Sequence, residues 1–163
     1  MDSLASLGAA VAELLRARNQ TVAVAESSAG GLINTILVAV PGASTYYLGG
    51  AVIYTAASRA GLLNITPAEM KDMRSASEPF AQLMARRVRD KMHATWGLAE
   101  TGATGPLGNR YGDAPGHACL AVSGPVERVV TIETGSAERE DNMQVFARKA
   151  LQLFESCLRD SAR

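Results

Sequence analysis

The stretch Thr21-Val-Ala-Val-Ala-Glu-Ser-Ser-Ala-Gly-Gly31 decides the fold of this chain. Thr21 to Ala25 is a short apolar run of the length and composition of a buried strand. Glu26 to Gly31 then breaks into small and polar residues, and Gly31 to Val40 resumes with helical character until Pro41-Gly42 stops it. A strand that turns into a helix through small residues leaves backbone N–H groups free at the turn. Those groups and the helix dipole favour an anion or a developing oxyanion. Ser27 and Ser28 place two hydroxyls at that point, and Gly30 and Gly31 allow the backbone a close approach. The turn therefore suits a phosphate site or a serine nucleophile. The plain alternative is a serine N-cap with no chemistry.

Working outward, Leu4, Leu7, Val11, Leu14 and Leu15 recur at helical spacing, so residues 3–18 read as an amphipathic helix ahead of the strand. Gly49 to Tyr54 reads as a second strand. Thr66-Pro67-x-Glu69 carries the pattern of a capping box and predicts a short helix after it. Ser77-Glu78-Pro79 starts a further helix with a core stripe of Phe80, Leu83, Met84, Val88 and Met92. Trp96 to Thr101 reads as a third strand. Gly102 to Gly116, rich in glycine and proline, forms a long loop of the kind that usually carries function. Ala118–Ser123 and Val126–Glu133 pair as a hairpin through Gly124-Pro125. A last helix spans about 137–159, with Met143, Phe146, Ala150, Phe154 and Cys157 or Leu158 buried. This order predicts an α/β fold, a three-layer α/β/α sandwich with a mixed, mostly parallel sheet. Polar loops at the strand ends of such sheets gather into one cleft. The turn at Ser27, the segment after Tyr54 and the loop after Thr101 are expected to meet there.

The 163 residues suit one domain, 1–163, with a proper core. Sixteen basic and sixteen acidic residues cancel, so no basic face points to nucleic acid. No apolar run reaches membrane-spanning length, and the start Met1-Asp2-Ser3-Leu4 lacks a signal-peptide pattern, so a cytoplasmic location without membrane partners is expected. The two cysteines, Cys119 and Cys157, and the two histidines have no ligand spacing, and neither a metal nor a cofactor is expected.

Several segments in order resemble the CinA C-terminal domain family. Ala25-Glu-Ser-Ser-Ala-Gly-Gly31 is similar to its A-E-S-C-T-G-G motif. Val40-Pro-Gly-Ala-Ser44 and Tyr47-Leu-Gly-Gly-Ala-Val-Ile-Tyr54 resemble the next segment, and Leu62-Leu-Asn-Ile65 and Ala76-Ser-Glu78 fit its middle. Thr101-Gly-Ala-Thr-Gly-Pro106 resembles its T-G-I-A-G-P. The resemblance spans nearly the whole chain, without the nucleotide-processing domain fused to some members. It implies hydrolysis of the carboxamide of nicotinamide mononucleotide with release of ammonia. It implies Ser27 as nucleophile, with Tyr54 and the residue at Arg59 as catalytic partners. Thr101 and Arg139 are implied on the ligand side.

This chain departs from the family pattern where the chemistry is most exacting. Arg59 stands at the family's lysine, in Tyr54-Thr-Ala-Ala-Ser-Arg59. A serine hydroxyl needs a base. A buried lysine can become a neutral amine, whereas a guanidinium stays charged and serves as an anion clamp. Arg59 is expected to act on Tyr54 by lowering its pKa. His117, directly after the loop, is the histidine placed to substitute as base. Glu26 can orient a partner or pair with Arg59. Ser28, Gly30, Gly31, Thr101, Thr104, Gly105, Asn109 and Arg139 are the binding candidates beside Glu26. Three readings stay open: an amidohydrolase, a non-catalytic protein binding a pyridine nucleotide or another small anion, and an interaction protein. A homo-oligomer is expected in each.

Overall fold

The computed structural model describes residues 3–161. In chain order the elements are α1 (Leu4–Ala17), β1 (Val22–Glu26), α2 (Leu32–Val38), β2 (Tyr47–Val52), α3 (Ala56–Leu63), α4 (Glu78–Met92), β3 (Trp96–Ala103), β4 (His117–Ser123), β5 (Arg128–Glu133) and α5 (Arg139–Ser161). The strands form one sheet in the order β2-β1-β3-β4-β5. β1 lies parallel to β2 and to β3, and the hairpin β4–β5 adds two antiparallel pairings. Only β4 therefore runs against the others, and the sheet is mixed and mostly parallel as the sequence predicts.

The alternation within the strands sorts the two faces. Val22 and Val24 of β1, with Leu98 of β3 and Leu120 of β4, face α1, α2 and α5. Ala23 and Ala25 of β1, with Ala99, Cys119 and Ala121, face α4. Branched side chains fill the space on the first face. There α5 buries Phe146, Ala150, Leu151, Phe154 and Leu158, and Trp96 meets Phe154 edge to face at 5.6 Å. Small residues on the second face bring α4 close to the sheet. At Gly97 a Cβ would lie 2.0 Å from the Ala85 carbonyl oxygen.

Four details differ from the sequence reading. The capping box at Thr66 forms, with the Thr66 amide donating to Glu69 and the Glu69 amide to the Thr66 hydroxyl at 3.2 Å, but only i→i+3 turns follow it. Glu69 is drawn sideways to Arg87 of α4 instead of supporting a helix. A helix appears where none was predicted, over Ala56–Leu63, capped reciprocally by Thr55 and Ser58. Tyr54 lies beyond the end of β2 and is 59% exposed, because the strand begins and ends two residues earlier than its apolar run implies. Within α4, Leu83 is half-buried and Met92 exposed, while Ala81 and Ala85 complete the buried stripe.

β1 leaves through α2 on one face to reach β2, and the chain returns through α3 and α4 on the other face to reach β3. The carboxyl ends of β1, β2 and β3 thus open on the same side, beside the loop that enters β4. Open α/β sheets bind ligands at such a place.

Gly97→Ala is expected to push α4 off the sheet at the cost of about 1–3 kcal/mol, a fall in Tm of about 2–4 °C per kcal/mol for a chain of this size. Thermal unfolding followed by circular dichroism measures it, and an unchanged Tm would contradict the tight α4–β3 packing.

Candidate active site

Two buried carboxylates organise the turn after β1. Glu26, 0% exposed, accepts from the amides of Gly31 (2.9 Å), Ile33 (3.2 Å) and Asn34 (2.8 Å), and from Asn34 Nδ2 (2.7 Å). It therefore occupies the amino end of α2. Burial raises its pKa against the opposing effect of those donors. Glu100, at the corresponding depth on β3 and also 0% exposed, accepts from the amides of Ser27 (3.0 Å) and Ala29 (2.9 Å) and from the Ser28 hydroxyl. Burial, aided by the negative charge of Glu26, pushes Glu100 up to about 7 even though its three donors favour the ionised form.

This corrects the sequence expectation for the turn. The amides of Ser27 and Ala29 go to Glu100, that of Gly30 to the Ser27 carbonyl (3.0 Å) and that of Gly31 to Glu26. The anion that the strand–turn–helix pattern invites is supplied by the protein itself. Gly30 and Gly31 adopt φ of 69° and 99°, so the glycines serve the left-handed path of the turn. Glu26 caps α2 and forms no ion pair with Arg59. Glu100 escaped the sequence reading. Its one signal was a carboxylate at the end of the apolar run Trp96-Gly-Leu-Ala99.

Beside the turn lies a cavity of about 490 Å³. Ser27, Tyr54 and Arg59 all line it. Of the binding candidates, Ser28, Thr101, Thr104, Gly105, Asn109 and Arg139 line it too, while Glu26, Gly30 and Gly31 do not. Arg110 joins Arg59 and Arg139 in the wall, and no aspartate or glutamate among the described residues lines the cavity. None of these three arginines forms an ion pair among the described residues.

Each arginine is held in place by neutral groups. Arg59 donates to the Ser75 hydroxyl (3.0 Å) and sits over the Phe80 ring. Arg110 donates to the Tyr111 hydroxyl (3.0 Å). Arg139 donates to the Gly105 carbonyl (2.6 Å) and to the Tyr54 hydroxyl (2.8 Å), so the cation on Tyr54 is Arg139 and not the expected Arg59. Thr101 accepts from the Ala76 amide (3.1 Å), which ties β3 to the start of α4. Asn142 of α5, another residue the sequence reading missed, donates to the carbonyls of Thr104 and Ser136 (2.8 Å each) and fastens the loop. Asn109 holds the loop tip through Asp113 (2.8 Å), whose carboxyl is kept below the usual range by Arg74 first and Asn109 after it.

His117 does not line the cavity. Its Nδ1 meets Glu133 at 2.5 Å and its Nε2 the Ala76 carbonyl at 2.8 Å, which removes it as a substitute base. Burial opposes its charge, but Glu133, the Ala76 carbonyl and Asp113 together raise its pKa. Among the described residues no cluster of three or more His, Cys, Asp or Glu side chains could hold a metal ion, and no helix is long and apolar enough to cross a membrane.

The state of Glu100 carries a pH dependence of stability. Folded Glu100 keeps its proton to about pH 7, whereas an unfolded glutamate releases it near about pH 4.3. The folded chain binds more protons between those limits, so stability falls as pH rises through that window. Glu100→Gln removes this contribution together with the coupling of Glu100 to Glu26. The variant should lose less Tm than the wild type between pH 5 and 8 in thermal unfolding. Parallel losses would show that Glu100 does not titrate there.

The family model described as CinA C-terminal domain matches residues 4–158. A CinA-like protein of Gloeobacter violaceus is 40% identical over 155 residues, which are 94% of this chain and 36% of that protein. One of Trichormus variabilis is 36% identical over 132 residues, 81% of this chain and 31% of that protein. The chain thus spans about a third of the length of these curated relatives. Among solved structures, a competence or damage-inducible protein from Enterobacter asburiae superposes with a TM-score of 0.90 at 23% identity, covering 97% of this chain and 99% of that one. A CinA superfamily protein from Klebsiella pneumoniae 700603 does so with 0.91 at 21% identity, covering 98% and 99%. At such identities these structures speak for the fold alone, and the family rests on the sequence matches: the chain belongs to the CinA C-terminal domain family.

Proposed function

We propose that the cavity takes up nicotinamide mononucleotide or a close pyridine nucleotide and hydrolyses its carboxamide to the acid and ammonia. The observation that carries this reading is the wall itself. Arg59, Arg110 and Arg139 face one cavity that no carboxylate among the described residues lines, next to the hydroxyls of Ser27, Ser28 and Tyr54. Three cations without an internal counter-charge call for an anion from outside, and guanidinium groups suit a phosphate through paired hydrogen bonds. Ile53, Phe80 and Leu107 supply apolar surface in the same cavity for a flat ring.

The roles follow from what each group can do. A serine of the turn attacks the carboxamide carbon. The amides of Ser27, Ala29, Gly30 and Gly31 are committed elsewhere, so the developing oxyanion falls to the Ser28 amide, which has no hydrogen bond among the described residues, and to the cationic Arg59. Arg139 and Arg110 hold the phosphate, and Tyr54 keeps Arg139 turned toward the cavity.

A second reading is favoured by one residue. Arg59 cannot accept the serine proton, and a chain that kept the pocket but lost the base would bind the nucleotide without turning it over. Ammonia release from nicotinamide mononucleotide, measured beside calorimetric binding, separates the two. The amidase reading expects turnover. Binding without ammonia leaves the non-catalytic reading, and the absence of both removes the pyridine nucleotide as ligand.

Arg139→Ala is expected to weaken binding by about 10–150-fold, the loss of a charged hydrogen bond of about 1.5–3 kcal/mol. An unchanged Kd would remove Arg139 from the phosphate site.

A further inference from the structure

Among the hydroxyls lining the cavity, that of Ser28 is the one that donates to a carboxylate among the described residues. The hydroxyls of Ser27 and Thr104 have no hydrogen bond among the described residues, Thr55 accepts from the Ser58 amide, and the rest only accept. Tyr54 and Tyr111 accept from arginines, Ser75 accepts from Arg59, and Thr101 accepts from the Ala76 amide. The Glu100 carboxylate is also fixed in direction. Its Oε2 takes the amides of Ser27 and Ala29, which leaves Oε1 aimed at Ser28.

We propose that Ser28 is the nucleophile of this cavity and that Glu100 is its general base. The assignment rests on the amide-hydrolysis reading and places the missing base on β3 rather than at position 59. A base must lie within hydrogen-bond reach of the proton it removes, and Glu100 meets that condition through its bond to Ser28. With a pKa pushed to about 7 by burial and by Glu26, Glu100 can both take and return a proton near neutrality.

The cycle balances with water as the only co-reactant. Ser28 Oγ bonds to the carboxamide carbon as its proton passes to Glu100 Oε1. The tetrahedral adduct collapses, its C–N bond breaks, and Glu100 gives the proton to the departing nitrogen, which leaves as ammonia. An acyl ester on Ser28 remains. Water then attacks the ester carbon, its proton passing to Glu100. The C–O bond to Ser28 breaks, Glu100 returns the proton to Ser28 Oγ, and the carboxylic acid departs.

The test uses p-nitrophenyl acetate, an activated ester that acylates a serine whether or not the protein accepts a nucleotide. Wild-type protein should release a stoichiometric burst of p-nitrophenolate and carry one acetyl group, placed on Ser28 by peptide mass spectrometry. Glu100→Gln keeps the size of the side chain and an acceptor for the two amides, and should slow the burst by about 10²–10⁴-fold, the usual contribution of a general base. Its circular-dichroism spectrum and its calorimetric affinity for nicotinamide mononucleotide should match the wild type. Glu100→Asp keeps a carboxylate and should retain more of the burst than Glu100→Gln, which covers a misfolded amide variant. Acetyl on Ser27, no acylation of the wild type, or an equal burst in a folded Glu100→Gln protein would each overturn the proposal. Acetylated Ser28 without ammonia release from the nucleotide would leave the Ser28–Glu100 pair standing and remove the substrate.

Discussion

Two carboxylates out of water, Glu26 on β1 and Glu100 on β3, take the amides of Ser27, Ala29 and Gly31 in the turn. The rest of the site is built on that arrangement. A buried carboxylate is costly unless its oxygens are satisfied. Here the turn satisfies them, and the carboxylates in return dictate the path of residues 27–31. The turn presents Ser27 and Ser28 to the cavity because its amides point inward. Like charges on neighbouring strands do not ionise independently, and the more deeply desolvated Glu100 bears the larger shift. A carboxyl poised near neutrality beside a hydroxyl is a feature that packing alone would not require.

The sheet decides what stands opposite that turn. Because β1, β2 and β3 run the same way, Ser27, Tyr54 and Thr104 leave their strands on one side, although dozens of residues separate them in the chain. Small residues on one face let α4 lie close, and Thr101 then reaches the Ala76 amide at the start of that helix. α5 closes the other flank, with Arg139 bonded to Gly105 and Tyr54, and Asn142 to Thr104. The cavity is cationic because the acids close to it are spent elsewhere. Glu26 and Glu100 serve the turn, Asp113 holds Arg74, and Glu133 holds His117. This division of labour supports reading the pocket as one for an anion.

Much of the architecture was legible because it rests on local patterns. Periodicity located α1, α4 and α5, and apolar runs bounded by glycine and proline located the five strands. The segments that went astray are those in which a distant partner overruled the local signal. Thr66 and Glu69 form their capping box, yet Arg87 pulls Glu69 away and no helix follows. Ala56–Leu63 becomes helical on the strength of the Thr55–Ser58 cap, a pairing that its weak apolar pattern did not announce. The site was legible in membership more than in roles. Most of its candidates line one cavity, but the cation on Tyr54 is Arg139, and His117 is tied to Glu133.

By itself the sequence determined the order of the strands, the layered sheet, the strand–turn–helix at Ser27 and the family, since each of these depends on spacing along the chain. Tertiary structure alone decided where charge and protons reside. Whether an amide is free or bonded, whether an arginine has a counter-ion and whether a glutamate holds its proton near pH 7 depend on groups brought together from distant segments and on their removal from water. Glu100 lies 72 residues from Ser28 along the chain, and only the pairing of β1 with β3 sets one against the other.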